Sequence, residues 1–260
     1  MGWFRWFKLI ILNKKKILIT GFPHTGTSIL KSKMGECTNL YECPYEYFSI
    51  TYVDLENSGD KEFVLKKTPI LPVEIRANTL ERTQLGFEYG DYILIFVIRN
   101  PWNVFTSIIK QGVNPLNKLE PNQGPEYFIK VDEYLAAAKF FLDASNGDYK
   151  NIYSIRYEDF FPNNFQKLKE LFNSIGLEYA NEIFTNRSKN YIHAPNVNYD
   201  TIDSTNVSYS KDRLELRTWQ INQPFQNMNG DVDIPDELSD ILENSPIIKQ
   251  LGYTDPRKIK

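Results

Sequence analysis

Two glycines and three hydroxyl side chains stand close together in the segment GFPHTGTS, at residues 21–28. Because glycine accepts positive φ and lets other atoms approach its backbone, the two glycines permit a tight turn. The hydroxyls of Thr25, Thr27 and Ser28 supply hydrogen-bond donors beside Gly26. The spacing fits the phosphate-loop pattern G-x-x-x-x-G-[KT]-[ST], so the segment predicts a site for an anion such as phosphate.

The residues on either side of this loop are apolar. Residues 17–19 are typical of a buried parallel strand, and Ile29 and Leu30 continue into a predicted helix. The start of a helix carries unpaired N–H groups and a partial positive charge, which favour an anion. Thr27 stands where an ATPase needs lysine, which argues against ATP hydrolysis or kinase chemistry. A plain strand–turn–helix that binds nothing is the alternative interpretation.

A second group of polar residues follows the most apolar segment of the chain, YILIFVI at residues 92–98. Arg99, Asn100 and Pro101 come directly after it, and Ser107 comes eight residues after the arginine. Ligands of open α/β sheets bind beyond the carboxyl ends of strands, and a guanidinium suits phosphate. We therefore predict that Arg99 and Ser107 bind a second anion. A surface arginine that caps a strand is the alternative.

Apolar strand-like segments alternate with helix-like segments along most of the chain, with Pro101 at a helix start and Gly176 at a helix end. This alternation predicts an α/β fold with a mainly parallel central sheet flanked by helices, in one domain over residues 1–260. Residues 185–233 are rich in Asn, Asp, Ser and Thr and are predicted to be long loops that cover a site. The predicted strands are 17–19, 62–66, 92–98 and 151–157, and the predicted helices are 73–88, 102–111, 126–145, 164–175 and an amphipathic 235–253.

The overall composition excludes several classes of protein. The chain has 260 residues and a formal net charge of −3, which argues against general binding of nucleic acid. Its two cysteines, Cys37 and Cys43, imply no disulfide framework, and their redox state stays open. With only two histidines in the chain, a zinc site is not expected.

The N-terminal segment MGWFRWFKLIILNKKK combines aromatic and basic residues. Its apolar stretch is too short to span a bilayer and is interrupted by Arg5 and Lys8. One interpretation is a packed element before the first strand; the other is a membrane-surface anchor formed by residues 3–16. No small-residue cleavage site follows, so we expect a cytoplasmic protein, with peripheral membrane contact as the alternative. The oligomeric state stays open.

Taken together, these motifs resemble those of the sulfotransferase family. GFPHTGTSIL is similar to the family's 5′-phosphosulfate loop, and IFVIRNPWNVFTS to its 3′-phosphate motif R-[DN]-P-x-x-x-x-x-S. IRYEDF at residues 155–160 resembles a recurring strand end, Lys67-Thr68-Pro69 a K-[ST]-P segment, and LGY near the C-terminus a common ending. The resemblance spans about residues 16–176 and, more loosely, 205–253.

The resemblance implies a fold like that of P-loop NTPases and the donor 3′-phosphoadenosine 5′-phosphosulfate, whose product is 3′-phosphoadenosine 5′-phosphate. It implies transfer of a sulfuryl group to a hydroxyl or amine of a carbohydrate, lipid or small metabolite, and the family pattern requires no metal. The donor-binding residues that it implies are Thr25, Gly26, Thr27 and Ser28 for the 5′ end, Arg99 and Ser107 for the 3′-phosphate, and Arg217 with Trp219 in a C-terminal loop that covers the donor. A core tryptophan beside a surface arginine is the alternative for that last pair.

The resemblance also suggests the catalytic residues. His24 stands where the family usually has lysine or arginine, and a histidine there is a pH-dependent substitute. Lys67 is the candidate for another cation. Some carbohydrate sulfotransferases carry a glutamate in a K-E-x-H-F-F segment, and PYEYF at the matching distance implies Glu46 as the general base. A solvated loop glutamate is the alternative to that role, and Glu42 and His193 are other candidates for the base.

Two other functions compete with sulfuryl transfer. A P-loop phosphotransferase would depend on ATP and magnesium, and Thr27 in the lysine position argues against it. A non-catalytic relative would keep the nucleotide without turning it over, and His24 is the residue that favours this interpretation.

Overall fold

The computed structural model describes residues 14–43, 50–68, 92–116, 129–147, 151–184 and 231–259. Within them, five strands form one sheet in the order β2-β3-β1-β4-β5, and every neighbouring pair is parallel. The predicted α/β fold with a parallel central sheet is therefore confirmed. The strands are β1 Lys15–Gly21, β2 Leu40–Glu42, β3 Phe63–Lys67, β4 Tyr92–Ile98 and β5 Ile152–Arg156.

Helices cover both faces of this sheet, as parallel sheets require. The helices are α1 Thr27–Gly35, α2 Tyr52–Asn57, α3 Pro101–Ile109, α4 Val131–Asn146, α5 Pro162–Ile175, α6 Asp236–Asn244 and α7 Pro246–Leu251. Leu18 of β1 faces a core shared with α3, α4, α6 and α7, whereas Ile17 and Ile19 face a core shared with α1 and α5. Short 3₁₀ helices occupy Tyr157–Phe160, Asn181–Phe184 and Pro256–Lys258.

The order of the strands determines which loops can meet. β1 lies between β3 and β4, and Thr20 and Gly21 pair with Phe96 and Val97 near the carboxyl end of β4. The loop after β1 and the residues after β3 and β4 therefore emerge side by side at one edge of the sheet.

The predicted single helix over 235–253 is wrong, because the structure divides it into α6 and α7. Pro246 has no N–H to continue α6, and the Ser245 side chain accepts from the Ile248 N–H to start α7. The predicted helix 73–88 and residues 185–230 of the predicted loops lie outside the described residues.

Candidate functional site

The loop between β1 and α1 is tight and is stabilised from within. The Thr25 hydroxyl donates to the Phe22 carbonyl at 2.6 Å and is buried, so this side chain stabilises the turn. A Cβ on Gly21 would lie 2.3 Å from the Val97 carbonyl oxygen, which explains the glycine at the end of β1. The start of the loop thus packs closely against β4, the strand that Arg99 follows.

Gly26 begins α1 with a left-handed backbone, at φ 96°. A Cβ on this residue would lie 2.4 Å from Cδ2 of Tyr157, so the aromatic ring packs directly against the loop backbone. Gly26 has no side chain to cap the first turn, and that turn contains no acidic residue. The helix start therefore keeps the partial positive charge that attracts an anion.

The two predicted anion-binding motifs meet at His24. The Nδ1 atom of His24 lies 3.1 Å from Oγ of Ser107, and its carbonyl accepts from Nη1 of Arg99 at 3.4 Å. His24 also has a positive φ of 67°, unusual for a residue with a side chain. The loop after β1 and the start of the β4–α3 connection therefore form one site rather than two.

Arg99 is held in place by two aromatic residues. Its guanidinium carbon lies 4.3 Å from the centre of the Tyr157 ring, and its carbonyl accepts from the Tyr134 hydroxyl at 2.5 Å. Burial lowers the pKa of Arg99, and the nearby Tyr157, Glu158 and Tyr253 partly offset that effect. Because arginine still remains protonated, a partly desolvated cation faces the loop.

Lys67 brings a second cation to the loop from β3. Its Nζ donates to Oγ of Ser28 at 2.8 Å, in the first turn of α1. The sequence suggested Lys67 as a cation that could compensate for His24, and the structure places it beside the phosphate-loop helix.

The neighbouring ends of β2 and β3 contain two buried ion pairs. Nζ of Lys31 lies 3.2 Å from the Glu42 carboxylate and donates to the Cys43 carbonyl at 2.7 Å. Nζ of Lys66 lies 2.6 Å from the Asp54 carboxylate, and only 1% of the lysine side chain is exposed. Burial alone would raise the pKa of Asp54, but hydrogen bonds from Lys66 and Thr51 lower it below its usual value.

Four of the sequence candidates lie outside the described residues. They are Glu46, the proposed base; His193, its distant alternative; and Arg217 with Trp219 in the proposed covering loop. Of the other candidate bases, Glu42 lies in the ion pair with Lys31 described above.

Neither cysteine forms a disulfide. Cys37 and Cys43 are both buried, and burial raises the pKa of Cys37 to about 12. In the described part of the chain, no group of three His, Cys, Asp or Glu side chains could hold a metal ion. Within the same ranges, no helix has the length and apolar character needed to cross a membrane.

Sequence reasoning missed the contribution of Tyr134, Tyr157 and Glu158. Tyr157 and Glu158 lie in the IRYEDF segment, which was recognised as a motif without a role for its residues. Tyr134 lies inside the predicted helix 126–145, and an aromatic residue there reads as an ordinary core residue. Only the folded arrangement brings these side chains to Arg99.

The structure is similar to solved sulfotransferase domains. One comes from the curacin biosynthetic pathway, with a TM-score of 0.52 and 17% identity over 94% of this chain and 99% of that domain. Another is that of the Synechococcus PCC 7002 olefin synthase, with a TM-score of 0.53 and 12% identity over 94% and 97%. No protein-family model and no curated protein sequence matches this chain. At these identities the similarity establishes the fold.

Proposed function

We propose that this chain is a single-domain sulfotransferase that uses 3′-phosphoadenosine 5′-phosphosulfate as its donor. The acceptor is a hydroxyl or amine of a carbohydrate, lipid or small metabolite. The observation that supports this most directly is His24, which contacts both Ser107 and Arg99 and so joins the two anion-binding motifs. A ligand with a charged group at each end fits such a site, and the donor is one.

Each end of the donor has residues suited to it. The N–H groups and hydroxyls of Gly26, Thr27 and Ser28 suit the 5′ end, at the positive start of α1. The guanidinium of Arg99 and the hydroxyl of Ser107 suit the 3′-phosphate. When bound, the donor supplies an activated sulfuryl group, so the protein's part is positioning and charge stabilisation, as in phosphoryl transfer.

Three side chains are proposed to act on the reaction itself. Lys67 supplies a cation beside Ser28, where it would stabilise the negative charge that develops on the leaving oxygen. His24 donates a hydrogen bond to the same group, in the position where relatives have a lysine or arginine. Glu46 accepts the proton of the acceptor hydroxyl or amine.

A nucleotide-binding protein without transferase activity is the second candidate. The observation that favours it is again His24, because its Nδ1 lies within hydrogen-bonding distance of Ser107 and no permanent charge stands there. This candidate predicts the same donor binding as the first, but no product with any acceptor.

Thermal unfolding in the presence of nucleotides tests the proposal. Adenosine 3′,5′-bisphosphate at about 100 times its Kd should stabilise the protein by about 2.7 kcal/mol, whereas ATP with magnesium should not stabilise it. Arg99→Ala should weaken the bisphosphate about 100-fold, because a charge-assisted contact to phosphate is lost. Lys139→Ala, which removes an exposed cation on α4, should leave the affinity unchanged.

Two results would contradict the proposal. Stabilisation by ATP with magnesium but not by the bisphosphate would favour a phosphotransferase. Equal bisphosphate affinity in the Arg99→Ala variant and the original protein would remove Arg99 from the donor site.

A further inference from the structure

Glu158 joins two parts of the chain that are distant in sequence. One oxygen of its carboxylate accepts from the Asn100 N–H at 2.8 Å, and the other accepts from the Tyr253 hydroxyl at 3.1 Å. Asn100 directly follows Arg99, whereas Tyr253 follows α7 near the C-terminus. The carboxylate therefore connects the backbone beside the candidate 3′-phosphate ligand to the C-terminal segment.

The backbone on both sides of the Arg99–Asn100 peptide is thereby fixed. The Arg99 carbonyl accepts from Tyr134, and the Asn100 N–H donates to Glu158. The peptide bond is planar, so holding both of its polar groups fixes its orientation. That orientation sets the direction in which the Arg99 side chain leaves the backbone.

The Asn100 side chain makes a second connection to the C-terminal segment. Its Nδ2 donates to the Thr254 carbonyl at 3.2 Å, while its Oδ1 accepts from the Trp102 N–H to begin α3. Further along, Nε1 of Trp102 donates to Ser239, and Ser239 donates to the buried Asp255. The C-terminal residues are thus linked to the start of α3, Thr254 by a direct hydrogen bond and Tyr253 and Asp255 through Glu158 and Ser239.

We propose that Glu158 and Tyr253 are positioning residues that set the protein's recognition of a 3′-phosphate by holding the Arg99 backbone against the C-terminal segment. Neither side chain touches the phosphate in this proposal; both act through Asn100 and Arg99. The inference rests on the proposed donor, because it assigns to Arg99 the 3′-phosphate of that nucleotide.

The surroundings of Tyr253 keep it in the form that this role needs. Burial raises the pKa of its hydroxyl well above the usual value, as do the neighbouring Tyr134 and Glu158, so it remains a donor. The Arg156 guanidinium carbon lies 5.1 Å from the centre of the Tyr253 ring, so the arginine packs over that ring. Replacing Tyr253 by phenylalanine would keep the ring and remove only the hydrogen bond to Glu158.

The proposal predicts a loss of binding affinity that is specific to the 3′-phosphate. Displacement of Arg99 lowers the affinity for a nucleotide that carries a 3′-phosphate, but it leaves the contacts of the 5′-phosphate with Gly26 and Ser28 unchanged. The informative quantity is therefore the ratio of two Kd values, for adenosine 5′-phosphate and for adenosine 3′,5′-bisphosphate. A side chain that only stabilises the fold would alter both values together and leave their ratio unchanged.

Isothermal titration of the full chain with these two nucleotides is the test. Tyr253→Phe should reduce the preference for the bisphosphate about three- to tenfold, which is less than the full effect of a hydrogen bond to a charged group because Tyr253 acts on Arg99 only through Glu158 and Asn100. Glu158→Ala removes both hydrogen bonds and should reduce the preference further. Tyr179→Phe is the matched control, because among the described residues its hydroxyl donates to the Asn173 side chain at 3.1 Å and has no hydrogen bond to Arg99, Asn100 or Glu158, so the preference should not change.

A double variant shows whether the effect passes through the arginine. In an Arg99→Ala background, Tyr253→Phe should cause no further loss of preference, since the group that it positions is gone. A normal preference in both Tyr253→Phe and Glu158→Ala, or an equal loss with and without Arg99, overturns the inference while the proposed donor stands. An original protein that binds both nucleotides equally overturns the proposed function, and this inference with it.

Discussion

The two halves of the sheet's carboxyl edge differ in the groups that contact their cationic side chains. On the β2–β3 side, Lys31 and Lys66 are buried and each faces a carboxylate of the protein, Glu42 or Asp54. On the β4 side, Arg99 faces the ring of Tyr157 and the carbonyl of His24, and the Glu158 carboxylate is bonded to Asn100 and Tyr253. Breaking either of these buried lysine–carboxylate pairs would destabilise the fold. The described contacts of the Arg99 guanidinium, a ring face and a carbonyl, are compatible with the proposed binding of an anion.

Removing a carboxylate from the stabilising half should have the largest effect. Asp54→Asn removes the carboxylate that pairs with the buried Lys66, and we expect a loss of about 3–5 kcal/mol in the free energy of unfolding. Chemical denaturation measures this loss. Asp143→Asn, which breaks the exposed pair with Lys139, should cause no measurable change.

The same aspartate sets the direction of a pH effect. Because the folded pKa of Asp54 is lower than its unfolded value, its contribution is present above the unfolded pKa and is lost as the pH falls through the folded one. The unfolding free energy of Asp54→Asn should therefore fall less steeply with acid than that of the original protein. Parallel pH profiles would show that the pair contributes nothing to folding.

A smaller loss of stability is expected at Gly26, in the loop between β1 and α1. Gly26→Ala forces a Cβ into the Tyr157 ring and a side chain into a left-handed backbone, so we expect about 2–4 kcal/mol of destabilisation and weaker binding of the bisphosphate. Gly112→Ala is the matched control. It has a similar φ of 82°, but no atom of the described residues lies within 4 Å of the new Cβ, so only about 1–2 kcal/mol should be lost.

The difference in unfolding free energy between Gly26→Ala and Gly112→Ala measures the cost of the contact between the new Cβ and the Tyr157 ring. If both lose the same free energy, backbone conformation accounts for the whole effect and Tyr157 does not constrain the loop.

The smallest effect is expected on the ligand-binding half, at His24. His24→Lys replaces the imidazole by a lysine ammonium group. Because a charge-assisted contact to phosphate is added, the variant should bind the bisphosphate about three- to tenfold more tightly. His24→Gln keeps a polar group near Ser107 without charge and should not bind more tightly than the original protein. Titration calorimetry measures both, and equal affinities would show that charge at this position is not used.

The sequence was most informative where local pattern and chemistry coincide. The apolar segment 92–98 matches β4 residue for residue, and Pro101 begins α3 as its preference for a first helical turn predicts. The loop glycines and Arg99 could be recognised because the glycine spacing and the position of the arginine after a strand are both typical of anion-binding sites. The contact between His24 and Ser107 was not predicted, because the two residues are 83 positions apart and nothing in the local sequence shows that their side chains meet.

Other features depend on partners that the local sequence does not identify. Lys31 and Lys66 each meet a carbonyl or carboxylate 12 positions away in the chain, so nothing near them signals burial. β2 has only three residues, too few for a clear alternation. α2 did leave a signal that was overlooked, because Thr51 and Asp54 form a capping box with the spacing that this motif requires.

Tyr157 contacts the loop backbone at Gly26 with one part of its ring and supports Arg99 with its face. One phenol side chain thus acts as a spacer between the backbone of the loop and the guanidinium of Arg99. If the proposed donor binds here, a substitution of Tyr157 would change the distance between the two anion-binding motifs and so the contacts of both charged ends of the ligand. Any redesign for a shorter or longer dianion would have to begin at this residue.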